Sequence, residues 1–276
     1  MSTEAAMSAE AEQAATLARL IRESSPVVAL TGAGISVPSG IPDFRSPGTG
    51  LWARVDPMEV AHIDAFRRDP ERFWQFYGER FQTLDGKQPN PAHDALARLE
   101  REGLLDAVIT QNIDGLHARA GTRELIEVHG SIAQSSCPGC GRRYPLREVR
   151  SRQSSDPRGV PACDCGAALK PDVVLFGEHL PVSVLDRAER LAADAELMLC
   201  IGSSLGVYPV AELPAMTLAR GGRVAVITKG STPFDGRAAA RMHADVVAAL
   251  ESVLRELALS PEQRSEPEAR LRSAQA

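Results

Sequence analysis

A short apolar run that leads directly into a glycine-rich turn constrains the fold of this chain more than any other feature. Residues 27–30 are all apolar, and Gly32 and Gly34 follow within four residues. A buried strand that ends in Gly-x-Gly is the usual start of a dinucleotide site, because these glycines permit a tight turn and a close approach to a pyrophosphate. The third glycine of the full G-x-G-x-x-G pattern is absent, since Val37 stands in its place. The motif alone is equally consistent with an ordinary strand-to-helix turn.

The residues after this turn predict an ordered loop instead of a long helix. Pro42 and Pro47 interrupt any regular helix here, because proline has no backbone N–H to donate. Between them stand Asp43, Phe44 and Arg45, three side chains of different chemistry in a row. We therefore expect a loop that can cover a bound ligand.

Short apolar strands alternate with amphipathic helices through most of the chain. The predicted strands cover residues 27–30, 107–110, 125–128, 170–176, 197–201 and 223–227. The predicted helices cover residues 8–24, 57–65, 70–84, 92–102, 184–193, 210–220 and 242–257. Such alternation is typical of a parallel sheet with helices on both faces. The predicted fold class is α/β, a Rossmann-like doubly wound parallel sheet with a smaller zinc-stapled domain and a helical and loop insertion.

Polar residues stand where the predicted strands end. The five groups are residues 32–36, residues 111–114, His129, residues 202–204 and Thr228. Ligands of parallel α/β sheets bind beyond the carboxyl ends of the strands. Five polar ends at one edge of a sheet therefore predict a binding site more strongly than the Gly-x-Gly turn does alone.

Residues 135–169 differ from the rest, because they combine many turns with little apolar periodicity. They hold four of the five cysteines, in two close pairs: Cys137 with Cys140, and Cys163 with Cys165. Four thiolates suit a tetrahedral zinc ion, and a site with four protein ligands is structural rather than catalytic. Scattered thiols and a redox pair are the alternatives. Cys200 falls in a predicted buried strand, where core packing accounts for it.

These patterns divide the chain into segments. The predicted segments are a discontinuous Rossmann-like domain (11–44, 86–134 and 170–258), a cofactor loop with a helical insertion (45–85), a zinc-binding module (135–169) and two disordered tails (1–10 and 259–276).

Charge and hydropathy exclude several classes of function. The chain has 276 residues and a formal net charge of −5, so we expect no direct nucleic-acid partner. No apolar run reaches the roughly 18–20 residues that a membrane span needs, so we expect no membrane partner. A signal peptide is not recognisable at the N-terminus. The expected location is cytoplasmic, where cysteines are more often thiols or metal ligands than disulfides.

Taken together, the polar segments resemble the sirtuins, the Sir2 family of NAD-dependent protein lysine deacylases, in their bacterial type. The matching motifs are GAGIS (32–36), GIPDFR (40–45), TQNIDGLH (110–117), HG (129–130), the two cysteine pairs, KPDVVLFGE (170–178) and GSSL (202–205). They follow the order of the family over roughly residues 17–257. In combination they are far more specific than the glycine turn alone.

The resemblance implies a set of contacts with NAD, the co-substrate. The residues that it assigns to NAD binding are Gly32, Ala33, Gly34, Ser36, Asp43, Phe44, Arg45, Gln111, Asn112, Asp114, Gly202, Ser203, Ser204 and Thr228. Asn112 and Asp114 would also take part in catalysis, beside His129. Thr228 departs from the family, which commonly has an asparagine there, and a hydroxyl reaches less far than an amide.

The resemblance also implies the reaction. The acyl oxygen of an acylated protein lysine attacks C1′ of the nicotinamide ribose, and nicotinamide leaves. His129 then acts as general base on a ribose hydroxyl. The products are free lysine, nicotinamide and O-acyl-ADP-ribose, with acetyl as the expected acyl group. Acylated-lysine proteins are the expected partners, and one structural zinc is the expected metal.

Two segments are expected to contact the acyl-lysine substrate. Sirtuins bind the peptide as an extra strand between two edges, which here carry Phe176, Gly177, Glu178 and Val207. Tyr77 and Arg80 match the Tyr-x-x-Arg of sirtuins that remove succinyl or malonyl groups, in which the guanidinium pairs with the acyl carboxylate. The alternative is that Tyr77 packs among the aromatic side chains of its helix and Arg80 is solvated.

Other functions remain open at this point. A mono-ADP-ribosyltransferase would use the same fold and the same NAD site. A non-catalytic NAD-binding regulator would need neither His129 nor an acyl pocket. A dehydrogenase is disfavoured, because the glycine pattern is incomplete and nothing singles out a hydride-transfer site. Of the remaining histidines, His93 is expected at a helix start and His117 within its own turn.

Overall fold

A computed structural model describes residues 3–43 and 56–258 of the chain. The strands that they form are β1 (Val27–Thr31), β2 (Ala107–Thr110), β3 (Leu125–Glu127), β4 (Gly130–Ser136), β5 (Arg143–Pro145), β6 (Lys170–Val173), β7 (Leu197–Ile201), β8 (Arg223–Ile227) and β9 (Ala240–Met242). The α-helices are α1 (Thr3–Glu23), α2 (Pro57–Val60), α3 (Ile63–Arg68), α4 (Pro70–Asp85), α5 (Pro91–Arg101), α6 (Leu116–Ala120), α7 (Leu146–Ser155), α8 (Val182–Asp194), α9 (Leu213–Ala219) and α10 (Val246–Ala258). Short 3₁₀ helices cover Ala33–Ser39, Val210–Glu212 and Asp235–Arg237.

Six strands form a parallel sheet in the order β3-β2-β1-β7-β8-β9. Every residue of β1 is buried, and its side chains alternate between two hydrophobic cores. Val27 and Ala29 pack with side chains of α1, α5 and α10 on one face. Val28 and Leu30 pack with side chains of α8 and α9 on the other. The predicted doubly wound parallel sheet is therefore confirmed.

A second, smaller sheet is antiparallel and has the order β5-β4-β6. Its side chains and those of α7 share a third hydrophobic core with the aromatic residues of α4. This sheet carries the cysteine pairs, so the predicted smaller domain is present. It begins at Gly130 and ends at Val173. The exact division of the chain at residues 134/135 and 169/170 stays a prediction.

Two helices differ from the bounds that the sequence predicts. The helix expected over residues 57–65 is interrupted, because the extended backbone of His62 caps α3 and its Nδ1 accepts the N–H of Asp64 at 3.1 Å. The helix expected from Met242 begins only at Val246, because Met242 is paired with Ile227 as the last residue of β9.

Two further differences concern the ends of elements. α1 begins at Thr3, so residues 3–10 are helical where the sequence predicted a disordered tail; alanine and glutamate, both good helix formers, dominate there. The strand expected over residues 170–176 ends at Val173 and belongs to the small sheet.

No helix within residues 3–43 and 56–258 is both long and apolar enough to cross a membrane.

Candidate active site

Two backbone turns meet where β1 and β7 end. The N–H of Gly34 donates to the carbonyl of Gly202 at 2.8 Å, and the N–H of Gly32 donates to the carbonyl of Ile201 at 3.1 Å. A Cβ on Gly34 would lie 2.7 Å from the Gly202 oxygen, and Gly202 itself has a φ of +60°. Both glycines are therefore required by this contact, and a side chain on either would separate the turns.

A buried polar cluster lies directly after the first turn. Ser36 donates its hydroxyl proton to Asp114 Oδ2 at 2.8 Å and accepts from Asn112 Nδ2 at 3.1 Å. Asn112 Nδ2 also donates to the carbonyl of Gly32 at 3.2 Å, and Asp114 Oδ1 accepts the N–H of Leu116 at 2.9 Å. Ser36, Asn112 and Asp114 are all buried. The structure thus brings together three of the residues that the sequence assigned to NAD and to catalysis.

Gln111 connects the ends of β2 and β7 across β1. Its Nε2 donates to Ser203 Oγ at 2.9 Å, and its own N–H donates to the carbonyl of Thr31 at 3.0 Å. Ser203 Oγ also accepts the N–H of Leu205 at 3.2 Å, which holds that turn in place. Thr228 follows β8 at the same edge, half-buried, with its N–H donated to Met242. The polar strand ends predicted to converge do so.

His129 follows β3 at this edge, and its hydrogen bond defines its tautomer. Its Nδ1 lies 3.0 Å from the carbonyl oxygen of Gln111. A carbonyl only accepts, so Nδ1 carries the ring proton and Nε2 is left with a lone pair. Burial lowers the pKa of His129 below its usual 6.5, and the bond to Gln111 acts in the opposite direction. Burial thus favours the neutral form of the ring.

Phe176 and Glu178, two of the residues predicted to contact the peptide, form hydrogen bonds within the chain. The N–H of Phe176 donates to the carbonyl of Ala61, and its carbonyl accepts the N–H of Ile63, both at 2.9 Å. The Glu178 carboxylate accepts the N–H of Leu175 at 2.9 Å and pairs with Lys170. The side chain of Phe176 remains 39% exposed. Glu178 therefore stabilises its own loop.

The four clustered cysteines have the geometry of a metal site. Their Sγ atoms all lie within 4.8 Å of one another, and the two closest pairs are Cys137 with Cys165 at 3.4 Å and Cys140 with Cys163 at 3.5 Å. Four thiolates at about 2.3 Å from a tetrahedral zinc ion are roughly 3.8 Å apart. All are free thiols. The donor set fits zinc, and the predicted ligands are brought together.

Comparisons with known proteins agree with this arrangement. The Sir2 family profile matches residues 32–209, well over half of the chain. The chain belongs to the Sir2 family.

Similar proteins extend that assignment over the whole sirtuin core. An NAD-dependent protein deacetylase of Sulfolobus acidocaldarius is 48% identical over 224 residues, which cover 81% of this chain and 87% of that protein. One of Thermotoga maritima is 44% identical over 243 residues, covering 87% and 97%. A solved Sir2 complex with a deacetylated peptide and 3′-O-acetyl ADP-ribose has a TM-score of 0.84 and 43% identity, and the match covers 88% of this chain and 98% of that one.

Tyr77 and Arg80, the residues predicted to contact the acyl group, lie on α4. Tyr77 is buried, stacks on Phe73 with 4.6 Å between ring centroids, and burial raises its pKa to about 12. Packing of Tyr77 in the aromatic cluster is therefore confirmed. Burial lowers the pKa of Arg80, while the charges of Tyr77 and Asp114 oppose that shift. The Arg80 side chain is half-buried.

Two histidines that the sequence did not assign to the site lie beside the polar cluster. His93 caps α5, as expected, with its Nδ1 accepting the N–H of Asn90 at 3.3 Å; its Nε2 also lies 3.4 Å from Ser36 Oγ. His117 Nε2 lies 2.9 Å from Thr31 Oγ1, and burial lowers its pKa to about 3. The signal available for His93 was the Asn-Pro-x-His capping pattern.

The cofactor loop is only partly described. Asp43 is half-buried at its start. Phe44 and Arg45, which the resemblance assigns to NAD, lie outside the described residues.

Proposed function

We propose that this sirtuin uses NAD to remove acyl groups from protein lysine, with nicotinamide and O-acyl-ADP-ribose as products. The observation that carries the proposal is the position of His129: a half-buried imidazole at the polar edge, with its proton on Nδ1 and its Nε2 lone pair able to accept another. The deacetylases of Sulfolobus acidocaldarius and Thermotoga maritima support the same activity.

NAD would lie across the ends of β1 and β7. Gly32, Gly34 and Gly202 donate their N–H groups within the two turns, and their lack of side chains would let the pyrophosphate approach. The backbone N–H groups of Ala33 and Ser203 would face it. Ser204 and Thr228 would face the adenosine ribose. The close contact between the two turns supports this assignment, because it fixes both in one orientation before the ligand binds.

Asn112 and Asp114 would orient the nicotinamide ribose while the acyl oxygen attacks C1′. The carbon–nitrogen bond to nicotinamide breaks as the new carbon–oxygen bond forms. Ser36 would keep the Asp114 carboxylate in place, since it donates its proton to Oδ2. Burial of this cluster excludes water that would otherwise compete for the reacting carbon.

His129 would accept a proton at Nε2 from a ribose hydroxyl, which then attacks the carbon derived from the acyl carbonyl. A base must be unprotonated at the working pH, and the lowered pKa of His129 meets that condition. The carbonyl of Gln111 would stabilise the imidazolium that forms, because it remains hydrogen-bonded to Nδ1.

Cys137, Cys140, Cys163 and Cys165 would hold one zinc ion. Such an ion stabilises the fold of the small domain and supplies no group to the reaction.

The decisive experiment incubates the protein with a panel of acyl-lysine peptides, with and without NAD, and identifies products by mass spectrometry. We expect NAD-dependent release of free lysine peptide and O-acyl-ADP-ribose. His129→Tyr should abolish product, while His243→Tyr, at a surface histidine paired with Asp235, should not. ADP-ribose attached to protein would indicate a transferase instead, and NAD binding without nicotinamide release would indicate a regulator.

An acidic acyl group is the second candidate substrate, and the half-buried Arg80, one turn from Tyr77 on α4, favours it. Arg80→Met should lower kcat/KM for succinyl-lysine peptide and leave acetyl-lysine peptide unchanged. Arg72→Met provides the control, because Arg72 lies on the same helix in an exposed ion pair with Glu59. Equal losses on both peptides would refute the acidic-acyl assignment and leave acetyl as the substrate group.

A further inference from the structure

The helix that carries Tyr77 and Arg80 shares its core with the cysteine module. Phe73, Trp74, Tyr77 and Phe81 of α4 belong to one hydrophobic cluster with side chains of the module. The module's members of this cluster include Cys137, Tyr144, Val149, Cys163 and Leu169. The turns after β1 and β7 are supported instead by the two cores of the parallel sheet. Beside the proposed NAD contacts, Ile41 and Leu116 also belong to the cluster that holds α4. The two glycine turns and α4 therefore have different supports.

Polar contacts attach α4 to the module along its length. The indole Nε1 of Trp74 donates to the carbonyl of Leu169 at 2.9 Å, and both residues are buried. Gln153 of α7 donates its Nε2 to the carbonyl of Trp74 at 3.4 Å. Asp85, at the last turn of α4, forms an ion pair with Arg150 of α7. These contacts fix how closely α4 packs against the module and how the helix is oriented relative to it.

Gly78 is the point of closest approach between the two helices. A Cβ at this position would lie 2.0 Å from Gln153 Nε2. Glycine weakens the interior of a helix, so its presence here is explained by the approach of α7 rather than by helix formation. Gly78 stands directly between Tyr77 and Arg80 on the chain. The contact with Gln153 is thus made on the segment that carries both acyl-group residues.

We propose that Gln153 is a positioning residue for the acyl-lysine side of the site: through its contact with Gly78 and Trp74, the cysteine module sets the position of α4 and so the affinity for the acyl group. The NAD side is independent of this contact. The inference rests on the proposed function, because it takes α4 as a wall of the acyl pocket.

The test measures Gln153→Ala for acyl-peptide KM, NAD KM, kcat and the Kd of ADP-ribose. We expect the KM for acyl peptide to rise roughly threefold to tenfold, the effect of losing one hydrogen bond. NAD KM, kcat and ADP-ribose Kd should stay within roughly twofold of wild type, as expected for an effect on one side of the site only. Gln75→Ala is the matched control, because Gln75 is an exposed glutamine on α4 itself.

Gly78→Ala provides an independent arm, because its methyl group displaces the Gln153 amide and breaks the same contact. The Gly78→Ala, Gln153→Ala double variant should match Gln153→Ala alone in peptide KM. If the rise in peptide KM of the double variant equals the product of the rises of the two single variants, the two residues act separately. That result would overturn the proposal. So would an equal loss of ADP-ribose affinity in Gln153→Ala, or an unchanged peptide KM.

Fluorescence gives a readout that does not depend on activity. The chain has two tryptophans, so Trp52→Phe leaves Trp74 as the sole reporter. In that background, removal of metal from the cysteine site with a chelator should shift Trp74 emission to the red, while ADP-ribose binding by calorimetry persists. Loss of ADP-ribose binding together with the shift would overturn the proposal. A wild-type protein that shows no NAD-dependent deacylation would refute the proposed function. Trp74 emission and ADP-ribose binding would still report whether the cysteine module positions α4 without affecting the NAD side.

Discussion

The contact between the two glycine turns leads to the sharpest prediction. Gly34→Ala would place a methyl group 2.7 Å from the Gly202 oxygen and 2.8 Å from the Gly202 Cα. Both are backbone atoms, so no side chain can rotate away. The turns would have to separate by about 0.7 Å to reach an ordinary contact of 3.4 Å, which breaks the 2.8 Å hydrogen bond from Gly34 to Gly202.

The cost has two parts. Overpacking of a close contact costs about 1–3 kcal/mol, and the lost hydrogen bond adds about 1 kcal/mol. We therefore expect the free energy of unfolding to fall by roughly 2–4 kcal/mol, equivalent to a decrease of roughly 5–15 °C in Tm for a chain of this size. Because the same turn would present N–H groups to the pyrophosphate, the Kd for ADP-ribose should rise roughly tenfold or more.

Thermal unfolding and calorimetric titration with ADP-ribose measure the two effects. Gly236→Ala is the control, since a Cβ there has no atom within 4 Å and should change neither quantity. A Gly34→Ala protein with wild-type Tm and wild-type ADP-ribose affinity would show that the turns are not held at the distance described, and the argument for a preformed NAD site would fail.

Three other outcomes are expected. Ser36→Ala removes the hydroxyl that donates to Asp114, so buried polar groups lose a partner. The free energy of unfolding in urea should fall by roughly 2–4 kcal/mol. An unchanged value would contradict the hydrogen bonds described for this buried polar cluster. Burial lowers the pKa of His129, so the ring loses its basic form only as pH falls through that lowered value; the acidic limb of kcat/KM should lie below pH 6.5, and a limb above it would exclude His129 as the titrating base. Cys140→Ser should lower the metal content of the purified protein, while Cys200→Ser, in the buried strand β7, should not; equal metal content in both would refute the four-cysteine site.

The strands of the large sheet could be predicted closely because burial there is uniform. Residues 107–110, 197–201 and 223–227 were predicted with the bounds of β2, β7 and β8. β4 and α7 were not predicted, because neither is amphipathic enough to show a clear period: Gly130–Ser136 is mostly polar, and α7 buries only Val149 fully. Such elements are stabilised by the strands and helices that pack against them, and the local sequence pattern does not indicate which elements these are.

The sequence predicted which segments meet at the site, but it did not predict which atoms form hydrogen bonds there. The parallel sheet brings Ser36, Asn112 and His129 to one edge, as the strand ends indicated. The approach of His93 to Ser36 depends on the packing of α5, which local pattern does not specify. The same holds for the contact of Gln153 with α4, because it joins segments far apart in the chain.

The order of strands also has a consequence for synthesis of the protein. β1 leaves the ribosome long before its partner β7, which begins only at Leu197, after the entire cysteine module. Until then, one edge of a strand that is fully buried in the folded protein lacks its neighbour, and pairings between residues so distant in sequence form slowly. A ligand held between the turns after β1 and β7 could not assist folding before Gly202 is synthesised. α1 and α5 precede β7 in the chain and pack against one face of β1, so they can cover that face before β7 is made.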